Sequence, residues 1–507
     1  MPESTDAQPE LIRSLRDPAC YDHAAGPVRV IETHISHVLL TGKFAYKIKK
    51  PLNLGFLDFS TLDKRLHACE EEVRLNQRLA PAIYLGVVPI TGSPATPRIN
   101  GTGAAIEYAV KMHQFPPDAT LDRLESEGRL TAQQVETIGT ALARFHLEAC
   151  ARAGADSPWG DPQQVWQPVA QNFLQIAPRL TDAVDRQQLD ALQRWSEAEH
   201  ARLAPLMAVR KRDGFIRECH GDLHLGNLAW VDDQLLVFDC LEFNPELRWI
   251  DIQSEVAFCT MDLMQRGHTD LAWLLLNTWL EKTGDYEGVA LLRYYAVYRA
   301  LVRAKVAVLR AGQITGLVRD AALADARAIL EMATMLTRPL PLWLDITHGL
   351  SGSGKTTVTQ SRMQTAGAIR LRSDVERKRL AGLDAQARSG AGVGQALYAA
   401  DATRLTYGHL TRLAGAVLDA GWPVIVDATF TARWQRNLLR ELAQSRGVAF
   451  HILDFQVPVA TLRERIIRRA RQGSDASEAD LNVLQHQIDT EDVLAADEQA
   501  DIVRMDQ

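Results

Sequence analysis

The sequence predicts an α+β half followed by a parallel α/β half, and three observations carry that expectation. From Val28 to Ile90, runs rich in strand formers (VRVIETHI, HVLLTG, FAYKIKK, YLGVVPI) surround one helical segment, HACEEEVRLNQRLA. After Leu130 the periodicity turns helical, with L-x-x-L and A-x-x-x-F spacings. At TRPLPLWL, Pro339 and Pro341 end a long helical pattern and lead into an apolar, strand-like run.

These features divide the chain into residues 1–338, with a small lobe over about 28–118 and a helical lobe over about 119–338, and residues 339–507. Length agrees: 507 residues is too long for one compact core. With 46% hydrophobic and 23% charged residues, Gly 32 and Pro 21, the composition excludes disordered, collagen-like and repeat architectures. Six cysteines, Cys20, Cys69, Cys150, Cys219, Cys240 and Cys259, lie far apart with no C-x-x-C pair. Neither a zinc module nor a disulfide framework is signalled. The polar N-terminus MPESTDAQPE and the shortness of the apolar stretch near Leu271 point to a cytoplasmic protein with no membrane partner.

Formal charge is 56 − 63 = −7, so a nucleic-acid footprint spread over the whole surface is not favoured, while a local basic patch stays open. Residues 1–340 carry 36 basic and 43 acidic groups, residues 341–474 carry 19 and 10, and residues 475–507 carry 1 and 10. A basic body suits a phosphate-rich ligand, and the acidic tail reads as a solvated helix.

In LWLDITHGLSGSGKTT, Gly349, Gly354, Lys355 and Thr356 complete G-x-x-x-x-G-K-[ST] between a strand-like run and a helix. Glycines let backbone N–H groups turn inward around a phosphate, Lys355 supplies a point charge, and Thr356 offers a hydroxyl to Mg²⁺. Gly349, Ser351, Gly352, Ser353, Gly354, Lys355, Thr356 and Thr357 are therefore the expected nucleotide contacts. The apolar run Val424–Val426 ends in Asp427, placed either to hold the metal or to cap the next helix. Asp374, at a strand end and helix start in AIRLRSDVERKRL, either caps that helix or accepts a proton from an acceptor hydroxyl. TLRERIIRRARQ carries Arg463, Arg465, Arg468, Arg469 and Arg471, a solvated face or a mobile arginine helix over a transferring phosphoryl group.

Upstream, IRECHGDLHLGNLAWVDDQLLVFDCLEF contains H-G-D-x-x-x-x-N at His220, Gly221, Asp222 and Asn227, then a hairpin and an apolar strand ending in Asp239. In protein kinases the logic of such a loop is a catalytic Asp, here Asp222, and two oxygen ligands for Mg²⁺, here Asn227 and Asp239.

The first set resembles the small P-loop kinases that include polynucleotide 5′-kinases, chloramphenicol phosphotransferase, gluconate kinase and zeta-type toxins, over about residues 342–490. That resemblance implies Asp374 as base, Arg377 and Arg404 as substrate contacts, and Arg465, Arg468 or Arg469 as the lid. The second resembles the aminoglycoside phosphotransferase and choline kinase group over about residues 28–335, and implies a bilobal, protein-kinase-like domain. It further implies a strand lysine paired with a helix glutamate: Lys47 in FAYK, with Lys49 competing, and Glu72 or Glu71 as partner. His220 is weighed as a loop-fixing residue rather than an acid–base group, and Asp251 as a brace. Two features depart from the group: no G-x-G-x-x-G precedes FAYK, and Asp239-Cys240-Leu241 stands where D-F-G is expected. Whole-chain order resembles bacterial bifunctional aminoglycoside phosphotransferase-family and ATP-binding kinases. The expectation is ATP and Mg²⁺ as cofactors and a hydroxyl-bearing small molecule as acceptor, with nucleic acid a less favoured partner.

Overall fold

The computed structural model describes residues 7–53, 57–384, 400–472 and 479–505. It has the mixed architecture expected, an antiparallel-sheet α+β half and a parallel α/β half. Helices in chain order are α1 Ala7–Ser14, α2 Leu62–Asn76, α3 Leu121–Ser126, α4 Ala132–Arg144, α5 Pro162–Ile176, α6 Ala183–Arg212, α7 Ile252–Gln265, α8 Thr269–Thr283, α9 Val289–Ala311, α10 Leu317–Leu336, α11 Lys355–Ala366, α12 Ser373–Leu380, α13 Ala400–Asp419, α14 Arg433–Arg446, α15 Val459–Gln472 and α16 Leu481–Thr490. Two compact units emerge: 1–134 with 145–168 and 204–259, and 135–144 with 169–203 and 260–507.

The first unit is built on a sheet of order β1-β2-β3-β6-β4-β5, antiparallel throughout. Its strands are β1 Arg29–Glu32, β2 Ser36–Leu40, β3 Phe44–Lys49, β4 Tyr84–Ser93, β5 Thr96–Ile99 and β6 Ala105–His113. Side chains alternate along β3, so Tyr46 and Ile48 enter an apolar cluster with Leu15, Leu39 and Ile90 while Lys47 and Lys49 share the opposite face. Helix α2 starts at Thr61, whose hydroxyl accepts from the Lys64 N–H. It buries Arg65, Ala68, Cys69, Glu72, Leu75 and Asn76, a spacing of three and four that makes one stripe and puts Glu72 on it.

Also in this unit, β7 Ile216–Glu218 pairs antiparallel with β10 Trp249–Asp251, and β8 Leu228–Val231 forms a hairpin with β9 Gln234–Val237. Asp232 and Asp233 turn that hairpin with φ of 49° and 59°, the left-handed pair a two-residue turn needs.

In the second unit five parallel strands run in the order β12-β13-β11-β14-β15. They are β11 Trp343–His348, β12 Ile369–Arg372, β13 Val424–Asp427, β14 Ala449–Asp454 and β15 Ile502–Arg504. The apolar residues of the three central strands are buried except at Trp343 and at the start of β14, and those of edge strand β12 are buried as well, as a sheet covered on both faces requires. Helices α8 and α9 pack beside this sheet: the Trp273 and Trp422 rings meet edge to face at 5.3 Å, Trp422 Nε1 donates to Val289 O at 3.1 Å, and the Arg293 guanidinium lies over Trp422.

The expectation of a solvated acidic tail holds only in part: α16 is a helix with most of its residues exposed or half-buried. Val483 and Leu484 of α16 are buried, and β15 joins the sheet. Glu498, 0% exposed, accepts two bonds from Arg436 of α14 at 2.7 and 3.0 Å. Asp497 and Asp501 take Arg433 and Arg440 at 2.7 and 2.8 Å. These three carboxylates neutralise the arginine-rich face of α14, so this part of the charge run is folded structure.

Candidate functional site

The phosphate loop follows directly from its glycines. Gly349, Gly352 and Gly354 have φ of 145°, 85° and 86°, conformations closed to ordinary side chains. At Gly349 a Cβ would also meet Phe455 O at 2.9 Å. The loop ends where α11 begins, so its backbone donors and the helix N-terminus point the same way, which suits a phosphate. Lys355 Nζ, 9% exposed as a residue, donates to Gly349 O and Leu350 O at 2.8 and 2.7 Å. The Ser351 N–H donates to Gln487 Oε1 of α16 at 2.9 Å.

A cavity of about 850 Å³ opens over this loop. Lining it are Ser351 through Gly354 on the loop, Lys355 through Thr357 at the start of α11, Asp374 and Arg377 on α12, Asp427 at the end of β13, and Arg465 and Arg468 on α15. Asp427 Oδ2 accepts from Thr359 Oγ1 at 3.4 Å, and Arg377 NH1 stands 3.7 Å from Asp374 Oδ1. A hydroxyl from Thr356 and a carboxylate from Asp427 are the hard oxygen donors Mg²⁺ takes, and the loop N–H groups fit nucleotide phosphates. Arg465 NH1 reaches Gly352 O at 3.4 Å.

Not every expected residue arrives. Arg404 on α13 is exposed and absent from the lining, where Thr403 and Tyr407 stand instead; one residue of phase on a helix turns a side chain by roughly 100°. The side chain of Arg469 lies outside the described residues. Sequence reasoning missed Tyr407, His486 and Gln487, which the cavity includes. For Gln487 no motif exists, because α16 reaches the loop only through packing. Leu484 and Ile488 join Leu462 and Ile466 of α15 and Leu350 of the loop in one apolar cluster.

In the first unit the lysine and carboxylates of the H-G-D segment converge. Lys47 Nζ lies 3.0 Å from Glu72 Oε1 and also pairs with Asp239. Lys49 pairs with Glu72 through its other oxygen and with Glu242. Glu72 thus serves both lysines, whereas Glu71 turns to Arg74 and Arg248 at 2.9 and 3.2 Å. Burial alone would push the Lys47 ammonium down; Asp239, Glu72 and Glu242 outweigh it and hold it well above its ordinary value. The Asp239 carboxyl shows the reverse balance, raised by burial but drawn lower overall by Lys47.

Asp239 itself has φ 63°, an uncommon conformation for a non-glycine residue, and its N–H donates to Tyr84 Oη at 3.1 Å. Asn227 Nδ2 donates to Asp222 O and Oδ2 at 2.9 and 3.2 Å, and His224 Nε2 lies 3.5 Å from the same carboxylate. His220 links the loop to the strand before Asp239 by Nε2 to Phe238 O at 2.8 Å, while its Nδ1 accepts from Asp222 N. Burial lowers its imidazole pKa, so it is neutral and suited to fixing the loop.

Beneath the loop, Glu255 accepts from Gly221 N at 2.7 Å and meets His146 Nε2 at 2.9 Å. His146, Cys219 and Glu255 place donor atoms within 4.8 Å of one another. Both Glu255 oxygens are engaged, and burial keeps the Cys219 thiol well above its ordinary range and so protonated. The cluster is a brace for the loop. Asp251 is a second brace, taking Arg210 Nε and NH2 at 2.7 and 2.8 Å. Glu242 and Glu255 lie in FDCLEFNPELRWIDIQSEVAF, a segment that strengthens the kinase-like resemblance without marking either residue.

The family described as AAA domain matches residues 344–494. An uncharacterized protein of Mycobacterium tuberculosis is 29% identical over 450 residues, 89% of this chain and 88% of its own length. Among solved structures, a choline kinase from Cryptosporidium parvum is 10% identical, covering 65% of this chain and 95% of its own at a TM-score of 0.40. A gluconokinase from Sinorhizobium meliloti is 24% identical, covering 33% of this chain and 83% of its own at a TM-score of 0.23. Glycine geometry and strand order fall in the same stretch as the family match: residues 344–494 hold a phosphate-loop segment on a parallel sheet and are similar to the AAA domain family.

Proposed function

We propose that the chain is an ATP- and Mg²⁺-dependent phosphotransferase with two kinase-type sites, residues 1–338 and 339–507, working in the cytoplasm on hydroxyl-bearing small molecules. One observation carries the reading: Lys355, Thr356, Asp374 and Asp427 converge on a single cavity of about 850 Å³. Lys355 and the loop N–H groups hold the β/γ-phosphates, Thr356 and Asp427 hold the metal, Asp374 takes the acceptor proton, and Arg465 and Arg468 stabilise the transferring group. Arg372 and Arg377 also face this cavity, which favours an acceptor carrying an anionic group, such as a sugar acid or a phosphorylated sugar. In the first unit Lys47 is the phosphate contact, Asp222 the base, and Asn227 and Asp239 the metal ligands.

The test is a screen of a metabolite pool with labelled ATP, run on wild type, Lys355→Ala and Asp222→Asn. Phosphoryl transfer lost by on the order of 100-fold or more in Lys355→Ala is expected; undiminished transfer would sink the P-loop assignment. A nucleic-acid 5′-hydroxyl acceptor would reveal itself by binding that weakens steeply with salt.

The Lys47–Asp239 ion pair favours a second reading of the first site, a nucleotide sensor, because the metal-ligand candidate is already matched by a cation. ATP binding without turnover, unchanged in Asp222→Asn, would support the sensor; loss of transfer in that variant would refute it.

A further inference from the structure

Strand β12 lies at the edge of the parallel sheet. Where another strand would pair, a side chain of α8 takes its place. Asn277 Oδ1 accepts from Arg370 N at 2.7 Å, and its Nδ2 donates to Ala368 O at 3.0 Å. At 1% exposure this carboxamide supplies the one acceptor and one donor of a missing peptide.

Four residues on, and so on the same helix face, Glu281 grips the same strand. Its Oε1 lies 2.7 Å from Arg370 NH2 and its Oε2 3.3 Å from Arg372 NH1. Burial would raise its carboxyl; Arg370 and Arg372 together bring it below its ordinary value, so it is a carboxylate facing two guanidiniums. Each arginine then leads to the cavity. Arg370 NH1 donates at 3.1 Å to the carbonyl of Thr356, the hydroxyl residue of the phosphate loop. Arg372 lines the cavity, as do Ser373 and Asp374 immediately after it. A third arginine, Arg379 of α12, donates to the Glu281 carbonyl.

We propose that Glu281 is a positioning residue for phosphoryl transfer in the P-loop cavity, fixing Arg372 and the Asp374 turn relative to the phosphate loop. It makes α8, which the sequence groups with the other kinase-like half, a working part of this site. The inference rests on reading the cavity as an ATP-dependent phosphotransferase. The nucleotide grip comes from loop N–H groups that Glu281 does not touch, so its loss affects geometry at the transfer step and not ATP affinity.

The experiment measures Mg²⁺-ATP turnover of the full chain, with water as acceptor, together with thermal unfolding. Lys355→Ala defines the turnover that belongs to this cavity. In Glu281→Gln, an isosteric change, that turnover falls about tenfold in kcat with KM for ATP within about twofold; Glu281→Asp recovers part of it. Arg372→Lys keeps the charge but loses the fork, and its double variant with Glu281→Gln is no slower than the slower single, as residues acting in series require. Unchanged kcat in Glu281→Gln, additive losses in the double variant, or kcat and KM changing together with a fall in unfolding temperature would each overturn the proposal while leaving the phosphotransferase reading in place. Wild-type turnover insensitive to Lys355→Ala would remove that reading, and this inference with it.

Discussion

The two candidate sites are built from opposite materials, and on the function proposed above both answer one problem, holding a triphosphate and its metal. The H-G-D site relies on side chains: Lys47 and Lys49 are buried and matched by Glu72, Asp239 and Glu242. The P-loop relies on backbone, with three glycines at positive φ shaping the loop and few charges needed to keep it so. One consequence is where each is fragile. A side-chain network fails when one carboxylate is lost and a buried charge is left alone, whereas a backbone cradle fails when its dihedral angles are forbidden.

Gly349→Val tests the backbone side and should have the largest effect on nucleotide binding. The φ of 145° and the 2.9 Å approach to Phe455 O leave no room for a side chain, and a strain of about 3 kcal/mol lowers nucleotide affinity on the order of 100-fold. Titration with a fluorescent ATP analogue measures it; retained affinity would mean the loop is less constrained than its geometry says. Glu72→Gln tests the other side. It leaves two buried lysines short of charge and should cost about 3–5 kcal/mol in urea unfolding of the full chain, while affinity at the P-loop stays unchanged.

A pH experiment sharpens the contrast further. Despite burial, which raises it, the Glu255 carboxyl is brought down from an ordinary 4.5 to about 2 by the His146 bond and neighbouring groups. Its folded value lies below its unfolded one, so its stabilisation is complete above about pH 4.5 and disappears as pH falls toward 2. Wild type should therefore lose on the order of 3 kcal/mol relative to Glu255→Gln across that window; parallel stability curves for the two proteins would contradict it. The smallest expected effect is that of Arg404→Ala, exposed and outside the cavity lining: turnover within about twofold of wild type.

How much of this was legible in the sequence follows the same division. Glycine spacing encodes backbone conformation directly, so the loop at 349–356 could be read from residue order, and H-G-D-x-x-x-x-N followed by a strand and Asp239 marks the second candidate site. Lys47 and Glu72 were named, but Lys49 entered only as a competitor; nothing local reveals that one glutamate serves two lysines. Glu242, Glu255, Glu281 and Gln487 were not visible as site residues. Helical periodicity shows which face is covered without saying by what. The acidic tail misled in part, for a related reason: charge counted in a window cannot see that Glu498 pairs with Arg436, 62 positions away.

The helix carboxamide at the edge of β12 has a consequence for solubility. Sheet edges are templates for pairing with other chains, and proteins usually blunt them with charge, proline or a cover. Here the blunting is done from another part of the sequence, by Asn277 against Ala368 and Arg370. A fragment beginning at residue 339 would bare those groups together with the Trp422 face that α8 and α9 shield. Such a fragment should self-associate in light scattering at concentrations where the full chain does not. Cutting at the proline-marked boundary would yield a piece that keeps its nucleotide motif and loses its protection from aggregation.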